Sequence, residues 1–312
     1  MIKTLFFYVH NFGVYWTFKI SIWPYIQVVI SHESFNRLHQ RQVKAFIGRV
    51  IKPVIDKYRA MDLPVLEPIP DNCPIWVCWW QGEDRMPEIS RRCIETIRQN
   101  RGKHPVILVT KDNYKEFVDL PEIFLERLNS GKMCFAHFAD TLRVNLIKQN
   151  GGIWIDSSMW MLKPIDTGRQ PFYTNKNQPN SKDYISNYRW TGGVLGASAD
   201  MVLFNYLADC YERYWTSYPA PIDFMIMDYF IALGYENIPV IRQLIDNHPF
   251  NNPDFYSLKK RLNEAFDSEY FESIYKRNDL LSLNRRFVVK DCGQNDRMTY
   301  WGYLKQLTSV FD

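Results

Sequence analysis

The sequence has neither the cysteine spacing of a metal site nor an apolar run long enough to cross a membrane. Its six cysteines, at positions 73, 78, 93, 134, 210 and 292, form no Cys-x-x-Cys pair. This spacing argues against a zinc site and a small disulfide-bonded fold, and it favours a reducing compartment. Residues 1–30 are rich in apolar side chains, but Lys3, Lys19 and Pro24 interrupt them. A spanning helix, which needs about 20 apolar residues, is therefore not expected.

Several familiar catalytic and nucleotide-binding motifs are also missing. The chain contains no Walker loop, no Gly-x-Gly-x-x-Gly fingerprint, no His-Glu-x-x-His zinc motif and no Gly-x-Ser-x-Gly elbow. It therefore lacks the local signatures of P-loop enzymes, dinucleotide-binding domains, zinc proteases and α/β-hydrolases. We also find no internal repeat and no low-complexity tract.

Hydrophobic and aromatic residues are abundant. The 312 residues are 46% hydrophobic, 23% charged and 16% aromatic, which excludes a disordered chain and allows a substantial core. The net charge of +4 hides an asymmetry, because residues 1–60 contain nine Lys or Arg residues against only Glu33 and Asp56. A basic end on a mildly acidic body indicates an anionic surface as partner, such as phospholipid headgroups, and not nucleic acid.

The first 65 residues form a basic and aromatic extension that we expect to be helical. From Ser34 to residue 59, apolar residues recur every three or four positions, which is typical of an amphipathic helix, and Pro53 should kink or break it. Two interpretations are open for 34–59: a helical collar packed on the main domain, which we favour, or a helix on a membrane surface. For 1–30 we favour membrane contact.

The remaining chain reads as alternating strands and helices after a proline-rich linker at 64–74. Strands are predicted at 75–80, 105–110 and 153–155, and helices at 88–100, 120–128, 136–149, 199–215 and 222–233. This alternation predicts an α/β fold with a mostly parallel central sheet and helices on both faces. In such sheets ligands bind beyond the carboxyl ends of the strands, here 80–82, 110–113 and 156–158.

The segment from 138 to 158 carries the most informative polar residues. Asp140 and Arg143 are three apart and share a helix face, Gly151 and Gly152 allow a tight turn, and Asp156 follows a buried strand. A carboxylate and a guanidinium suit the hydroxyls of a sugar, and a strand-end carboxylate suits a divalent metal beside a diphosphate. Taken singly, these residues are an ordinary ion pair and a turn residue, but their combination favours a nucleotide-sugar site.

Three segments, 75–82 with Pro87, 136–143 and 151–156, give the sequence a resemblance to the capsular polysaccharide synthesis glycosyltransferases. These are related to glycosyltransferase family 32 and, more remotely, to the glucosylating domains of large clostridial toxins. The similarity extends from about residue 72 to the end and is strongest over 75–165. It implies a GT-A fold at 72–312, with a donor-binding half at 72–170 and an acceptor half at 171–312. It also implies a nucleotide-sugar donor, a divalent metal and retaining transfer.

Carried over by position, the resemblance assigns roles to individual residues. Trp79, Trp80 and Gln81 would bind the nucleotide. Asp140 and Arg143 would hold the donor sugar's hydroxyls, near Gly151 and Gly152. Asp156 would be the first acidic residue of an Asp-x-Asp metal motif, but the third position is Ser158. We therefore expect Mn²⁺ or Mg²⁺ to bind weakly without donor.

Other candidates have weaker support. Trp190 with Gly192 and Gly193 forms either an acceptor-side turn or a turn before a core helix. Asp223 and Asp228 resemble an acidic helix of the same group, and their five-residue spacing predicts that only one faces the cleft. His137 is expected to be structural. His248 and the segment 290–296 could close over a diphosphate, although a hydrophilic turn is the preferred interpretation.

These observations predict a cytoplasmic glycosyltransferase, peripherally bound to the inner face of the cell membrane, that transfers a sugar from a UDP-sugar to a glycan or lipid-linked glycan. The product would be a capsular or exopolysaccharide repeat. One alternative is an enzyme that glycosylates a protein or host acceptor. The other is a sugar-nucleotide-binding protein that has lost catalysis, which slow donor hydrolysis would distinguish from an enzyme.

Overall fold

The computed structural model describes residues 2–21, 32–62, 66–178 and 184–308. Two sequence predictions fall partly outside these ranges. Residues 22–31 belong to the predicted membrane-contact segment, and residues 63–65 include the start of the predicted linker.

The central sheet has five strands in the order β2-β1-β3-β6-β5. Strands in the described residues are β1 (Ile75–Cys78), β2 (Val106–Val109), β3 (Gly152–Ile155), β4 (Met159–Met161), β5 (Phe172–Thr174), β6 (Val194–Ala197) and β7 (Leu280–Ser282). β1 is parallel to β2 and β3, whereas β6 is antiparallel to β3 and β5. Four of the five strands thus run in one direction, and the predicted mostly parallel sheet is confirmed. β4 and β7 form a separate antiparallel pair.

Helices surround this sheet near the positions that the sequence predicts up to residue 237, whereas the three described helices after that residue were not predicted. Those described are α1 (Ile2–Ser21), α2 (His32–Val50), α3 (Lys52–Arg59), α4 (Glu88–Gln99), α5 (Glu122–Asn129), α6 (Phe135–Asn150), α7 (Val202–Ser217), α8 (Ile226–Asn237), α9 (Pro239–Asn247), α10 (Ser268–Arg277) and α11 (Tyr300–Thr308). The predicted helix at 222–233 begins at Ile226 instead, because Asp223 accepts a hydrogen bond from the Met225 backbone in a turn that precedes it.

The second and third helices pack against the body as a collar. The chain breaks at Ile51 between α2 and α3, and Pro53 lies in the first turn of α3, where a missing N–H is tolerated. Val43, Phe46 and Ile55 are buried in the main hydrophobic cluster. Part of the basic charge pairs with the acidic body, since the Lys44 and Lys57 ammoniums lie 2.6 Å from Glu236 and 2.7 Å from Asp209.

The first helix is only partly covered by the rest of the fold. It is kinked at Gly13, with φ of 78°. Phe12 is buried against Phe46 and Tyr218, whereas Phe6 and Val14 are 71% and 72% exposed. None of the helices in the described residues is both long and apolar enough to span a membrane.

Three chain segments meet at one edge of the sheet. β1 and β3 are parallel neighbours, so Trp79 and Asp156 both follow carboxyl ends at this edge. β6 is antiparallel, so the residues that precede it arrive at the same edge, and the Gly193 carbonyl accepts a hydrogen bond from the Asp156 backbone N–H at 2.9 Å. The mixed direction of the sheet therefore gathers three loops around one cleft.

Candidate active site

A cleft of about 570 Å³ opens at this edge of the sheet. One side is formed by Trp79, by Asp140 and Arg143 on α6, and by Asp156 with Ser158. The Thr191–Gly193 turn, Asp228, Tyr256, Lys259 and residues 282–286 also line the cleft. The structure therefore brings together residues that are spread over the sequence from Trp79 to Arg286.

Asp140, Arg143 and Asp156 form what we call the carboxylate–arginine cluster. The Arg143 Nη2 lies 3.3 Å from Asp140 Oδ1 and 3.2 Å from Asp156 Oδ1, and its Nη1 donates to the Gly192 carbonyl. The guanidinium also lies 5.0 Å from the centre of the Trp154 ring, and the Trp154 indole donates to Asp156 Oδ1 at 2.7 Å. The arginine side chain is only 8% exposed. Its fork therefore fixes both carboxylates and the Gly192 turn in one arrangement.

Burial makes the cluster electrostatically unusual. It raises the pKa of Asp140 to about 7; Arg143 opposes the rise, and the charges of Asp156 and Asp228 add to it. Burial likewise raises the pKa of Asp228 to about 6, opposed by a hydrogen bond from the Trp190 indole and by Arg143. Carboxyl groups that titrate near neutral pH in a cleft are typical of functional sites.

Of the residues predicted to bind the nucleotide, only Trp79 lines the cleft. Its indole Nε1 is buried without a hydrogen-bond partner among the described residues, and the Arg285 guanidinium lies 5.6 Å from the centre of its ring. Trp80 instead packs against Tyr114 and Phe138. Gln81 is exposed and is not among the described residues that line the cleft. Strand β1 ends at Cys78, so these three consecutive side chains leave the sheet in different directions.

Gly151 and Gly152 do not belong to the cleft, which corrects the prediction that they contact the donor sugar. They lie at the start of β3, whereas Asp156 follows its end. Their φ angles are 66° and 103°, and a Cβ on Gly152 would lie 2.5 Å from the Pro74 carbonyl oxygen. Both glycines are therefore required by the turn from α6 into the sheet. The glycines beside the site are Gly192 and Gly193, whose added Cβ atoms would approach Arg143 Nη1 at 3.2 Å and Asp156 Oδ2 at 3.0 Å.

The two weaker acidic candidates separate as their spacing predicts. Asp228 lines the cleft and accepts a hydrogen bond from Trp190 at 2.7 Å. Asp223 turns away and contacts His39 of α2 at 2.9 Å. Trp190 itself is buried behind Asp228, so the cleft is lined here by the following Thr191–Gly193 turn.

Neither histidine candidate contributes to the cleft lining in the described residues. His137 is buried between the rings of Trp215 and Phe224, and burial lowers its pKa to about 4. This agrees with the structural role expected from the sequence. His248 is held at the Thr174 backbone. The segment 290–296 is tied to Asn263 and Thr299 and also lies outside the lining.

The cationic side of the cleft was missed by the sequence analysis. Lys259, Arg285 and Arg286, which we call the cationic wall, all line it. The available signal was the apolar run 280–283 followed by Asn284 and two arginines. That run forms β7, so the arginines follow a strand end just as Asp156 does. The strand is only three residues long and lies in the irregular sequence after residue 247. The apolar pattern therefore did not predict it as a strand.

The residues fit a divalent metal only in part. Asp156 lines the cleft with Ser158, but its Oδ1 already accepts from Trp154 and lies 3.2 Å from Arg143. Within the described residues, no group of three or more His, Cys, Asp or Glu side chains could hold a metal ion. Hard divalent ions prefer about six oxygen ligands. Asp156 and Ser158 could therefore hold an ion only if a ligand supplied most of the oxygens.

The cleft is lined both by buried carboxylates with a guanidinium and by three exposed cations. Buried carboxylates with a guanidinium can orient neutral hydroxyls, and exposed cations can bind phosphate oxygens. A molecule with a sugar at one end and a diphosphate in the middle complements this division of charge.

Two known proteins are similar to parts of this chain. The O-glycosyltransferase braB of Annulohypoxylon truncatum is 26% identical over 120 residues, which make up 36% of this chain and only 28% of that protein. A solved structure, the PaToxG glycosyltransferase, superposes with a TM-score of 0.43 and 13% identity over 68% of this chain and 82% of that one.

The family match is broader than the resemblance predicted from the sequence. It covers residues 25–303, and so it includes both collar helices as well as the body from residue 72 to residue 303. The matching family is described as capsular polysaccharide synthesis protein. A match over most of the length assigns the chain to it: the protein belongs to the capsular polysaccharide synthesis family.

Proposed function

We propose that this protein is a glycosyltransferase that transfers a sugar from a nucleotide-sugar donor to a glycan acceptor. The observation that carries the proposal is the carboxylate–arginine cluster, which faces a cleft at the carboxyl edge of a mostly parallel sheet. Membership of the capsular polysaccharide synthesis family supports it, as does the partial similarity to an O-glycosyltransferase.

The proposed roles follow from position in the cleft. Asp140 and Arg143 orient the donor sugar through its hydroxyls. Trp79 stacks on the base, an interaction worth about 1–3 kcal/mol by alanine substitution. The donor is a UDP-sugar, and the acceptor is a lipid-linked glycan of a capsular or exopolysaccharide. Transfer proceeds with retention, and no protein base is assigned, because such a transfer requires none.

We propose that a divalent ion binds tightly only together with the donor. Asp156 and Ser158 are the side chains that would hold it, and it would add positive charge beside the departing diphosphate. Because Arg143 and Trp154 already occupy one oxygen of Asp156, we expect weak Mn²⁺ binding without nucleotide.

A thermal-shift screen of nucleotide sugars, with and without Mn²⁺, tests the function. A ligand that binds the native state raises the melting temperature by an amount that grows with the ratio of its concentration to its Kd. We expect one class of nucleotide sugar to raise it and then to be hydrolysed slowly. A shift without hydrolysis or transfer would indicate the inactive binding protein, and no shift with any donor would contradict the proposal.

We further propose that the protein associates peripherally with the inner face of the cell membrane through residues 1–59. The exposed apolar residues of α1, such as Phe6 and Val14, support this, as does the basic charge of the segment. Binding to vesicles containing phosphatidylglycerol should weaken as salt rises. Phe6→Ser with Val14→Ser should reduce it, whereas Val288→Ser, which alters an 82% exposed valine of the body, should not. Equal binding to neutral vesicles would refute the electrostatic part.

A further inference from the structure

We infer that the cationic wall, and not a resident metal, binds the diphosphate of the donor. The inference rests on the proposed function, because it assigns a diphosphate to the cleft. It concerns Lys259, Arg285 and Arg286, which the family resemblance did not identify. Three features of the cleft lead to it.

The first feature is that the Arg143 guanidinium already contacts both carboxylates of the cluster. The Arg143 guanidinium lies within 3.3 Å of both Asp140 and Asp156. A divalent ion shared by these carboxylates would be placed against a fixed positive charge in a poorly hydrated site, which is unfavourable. The charge of the two carboxylates is therefore already partly neutralised by the protein.

The second feature is the backbone connection that places the wall. β7 pairs with β4, which follows the Asp156 turn, and Met159 stands opposite Ser282. The Leu283 N–H then donates to the Ser158 carbonyl at 2.8 Å. This bond joins the turn after Asp156 to the segment that carries both arginines. Asn284 fixes the next turn by accepting from the Arg286 N–H at 3.1 Å. The two arginines of the wall are thus held beside the turn that follows Asp156 and line the same cleft as the cluster.

The third feature is that the wall cations lack counter-charges. No ion pair involves Lys259, Arg285 or Arg286 among the residues that the structure describes, whereas Arg143 contacts two carboxylates. Arg285 lies over the ring of Trp79, the proposed base platform, and Lys259 lies 5.2 Å from the Tyr256 ring centre. Unpaired cations beside a stacking platform fit phosphates attached to a base, and the arginine fork suits phosphate oxygens.

Calorimetric titration of the full chain with inorganic pyrophosphate, UDP and uridine, all in excess EDTA, tests the inference. Pyrophosphate reports on the diphosphate site whatever the base, and uridine reports on the platform alone. We expect UDP and pyrophosphate to bind in EDTA, and Arg285→Ala with Arg286→Ala to weaken both at least tenfold, while uridine binding changes by a clearly smaller factor because only Arg285 contacts the platform. Lys259→Ala should have a smaller effect, and Lys260→Ala, which alters a neighbouring exposed lysine outside the cleft lining, should have none.

The variants are at exposed positions, so unchanged melting temperatures should show that the fold is intact. The affinity of the wild type for UDP should also fall with salt more steeply than that of the double variant. UDP binding that vanishes in EDTA and returns equally with Mn²⁺ in wild type and double variant would overturn the inference and leave the proposed function standing. If neither UDP nor any nucleotide sugar binds with or without metal, both fail.

Discussion

The two charged groups that line the cleft, the carboxylate–arginine cluster and the cationic wall, differ in whether their charges are paired within the protein. The carboxylate–arginine cluster lies on α6 and at the end of β3, is largely buried, and satisfies its charges internally. The cationic wall lies on irregular chain around β7, is largely exposed, and has no carboxylate partner among the described residues. The carboxylates of the cluster are therefore already paired with Arg143 before a ligand binds, whereas the cations of the wall would obtain their counter-charge from a ligand. Changes in the cluster should affect stability and turnover together, and changes in the wall should affect affinity alone.

The largest effect is expected from Arg143→Ala. Removing one partner of a buried ion pair costs about 3–5 kcal/mol of folding free energy, because the remaining carboxylates are left unpaired. Transfer should fall about 1,000-fold, because a preorganised donor is lost. Urea unfolding and an assay of sugar transfer check both. Arg143→Lys keeps the charge but not the fork, so it should recover stability more than activity. Near-wild-type turnover in either variant would show that the cluster is only a structural ion pair.

A smaller effect is expected from Gly193→Ala, which alters the cluster without removing a charge. The new Cβ would lie 2.7 Å from the Met159 Cε and 3.0 Å from Asp156 Oδ2, so the carboxylate must move. A displaced reactive group can cost about 100-fold in rate, and we expect transfer to fall by about that factor.

Gly293→Ala is the matched control for this change. Its added Cβ would meet no atom closer than 3.6 Å and lies outside the cleft lining. Steady-state kinetics on both variants should show a loss of turnover in Gly193→Ala only. Equal kinetics would mean that the position of Asp156 does not limit transfer.

The smallest effect is on the pH dependence of the free energy of unfolding, which we expect to depend on the cluster and not on the wall. Burial raises the pKa of Asp140 to about 7 in the folded protein, whereas an unfolded aspartate titrates near about 4. The folded state therefore binds more protons in this window, and this residue's contribution to stability is lost as pH rises from about 4 through about 7. Asp140→Asn should reduce that slope in urea unfolding measured across the range to the part that Asp228 contributes, and Arg285→Ala should leave it in place. An unchanged slope in Asp140→Asn would show that the carboxyl is not desolvated.

The cluster could be predicted from the sequence because it depends on local geometry. Asp140 and Arg143 share a helix face by spacing alone, and the apolar run before Asp156 predicts a buried strand that ends at the ligand edge. The same reasoning predicted the alternation of strands and helices from 75 to 155 and the break before Pro53, but it missed the strands β4, β5 and β6. It also predicted that only one of Asp223 and Asp228 would face the cleft.

The wall could not be predicted in this way, because it depends on long-range pairing. Arg285 reaches the cleft only because β7 pairs with β4, more than 120 residues earlier in the chain. Gly151 and Gly152 show the opposite difficulty. Their sequence neighbourhood is that of the site, but β3 separates them from Asp156, and their role is to allow close approach to Pro74.

The most direct test of the account measures nucleoside diphosphate release from nucleotide sugars by wild type and Asp140→Asn. The substitution keeps the shape of the side chain and removes the charged acceptor for the sugar hydroxyls, while the cationic wall is untouched. The account predicts that wild type hydrolyses or transfers one donor class, and that Asp140→Asn loses about 100-fold in rate while binding UDP as tightly as wild type. Equal rates in the two proteins, or no release from any donor by wild type, would contradict it.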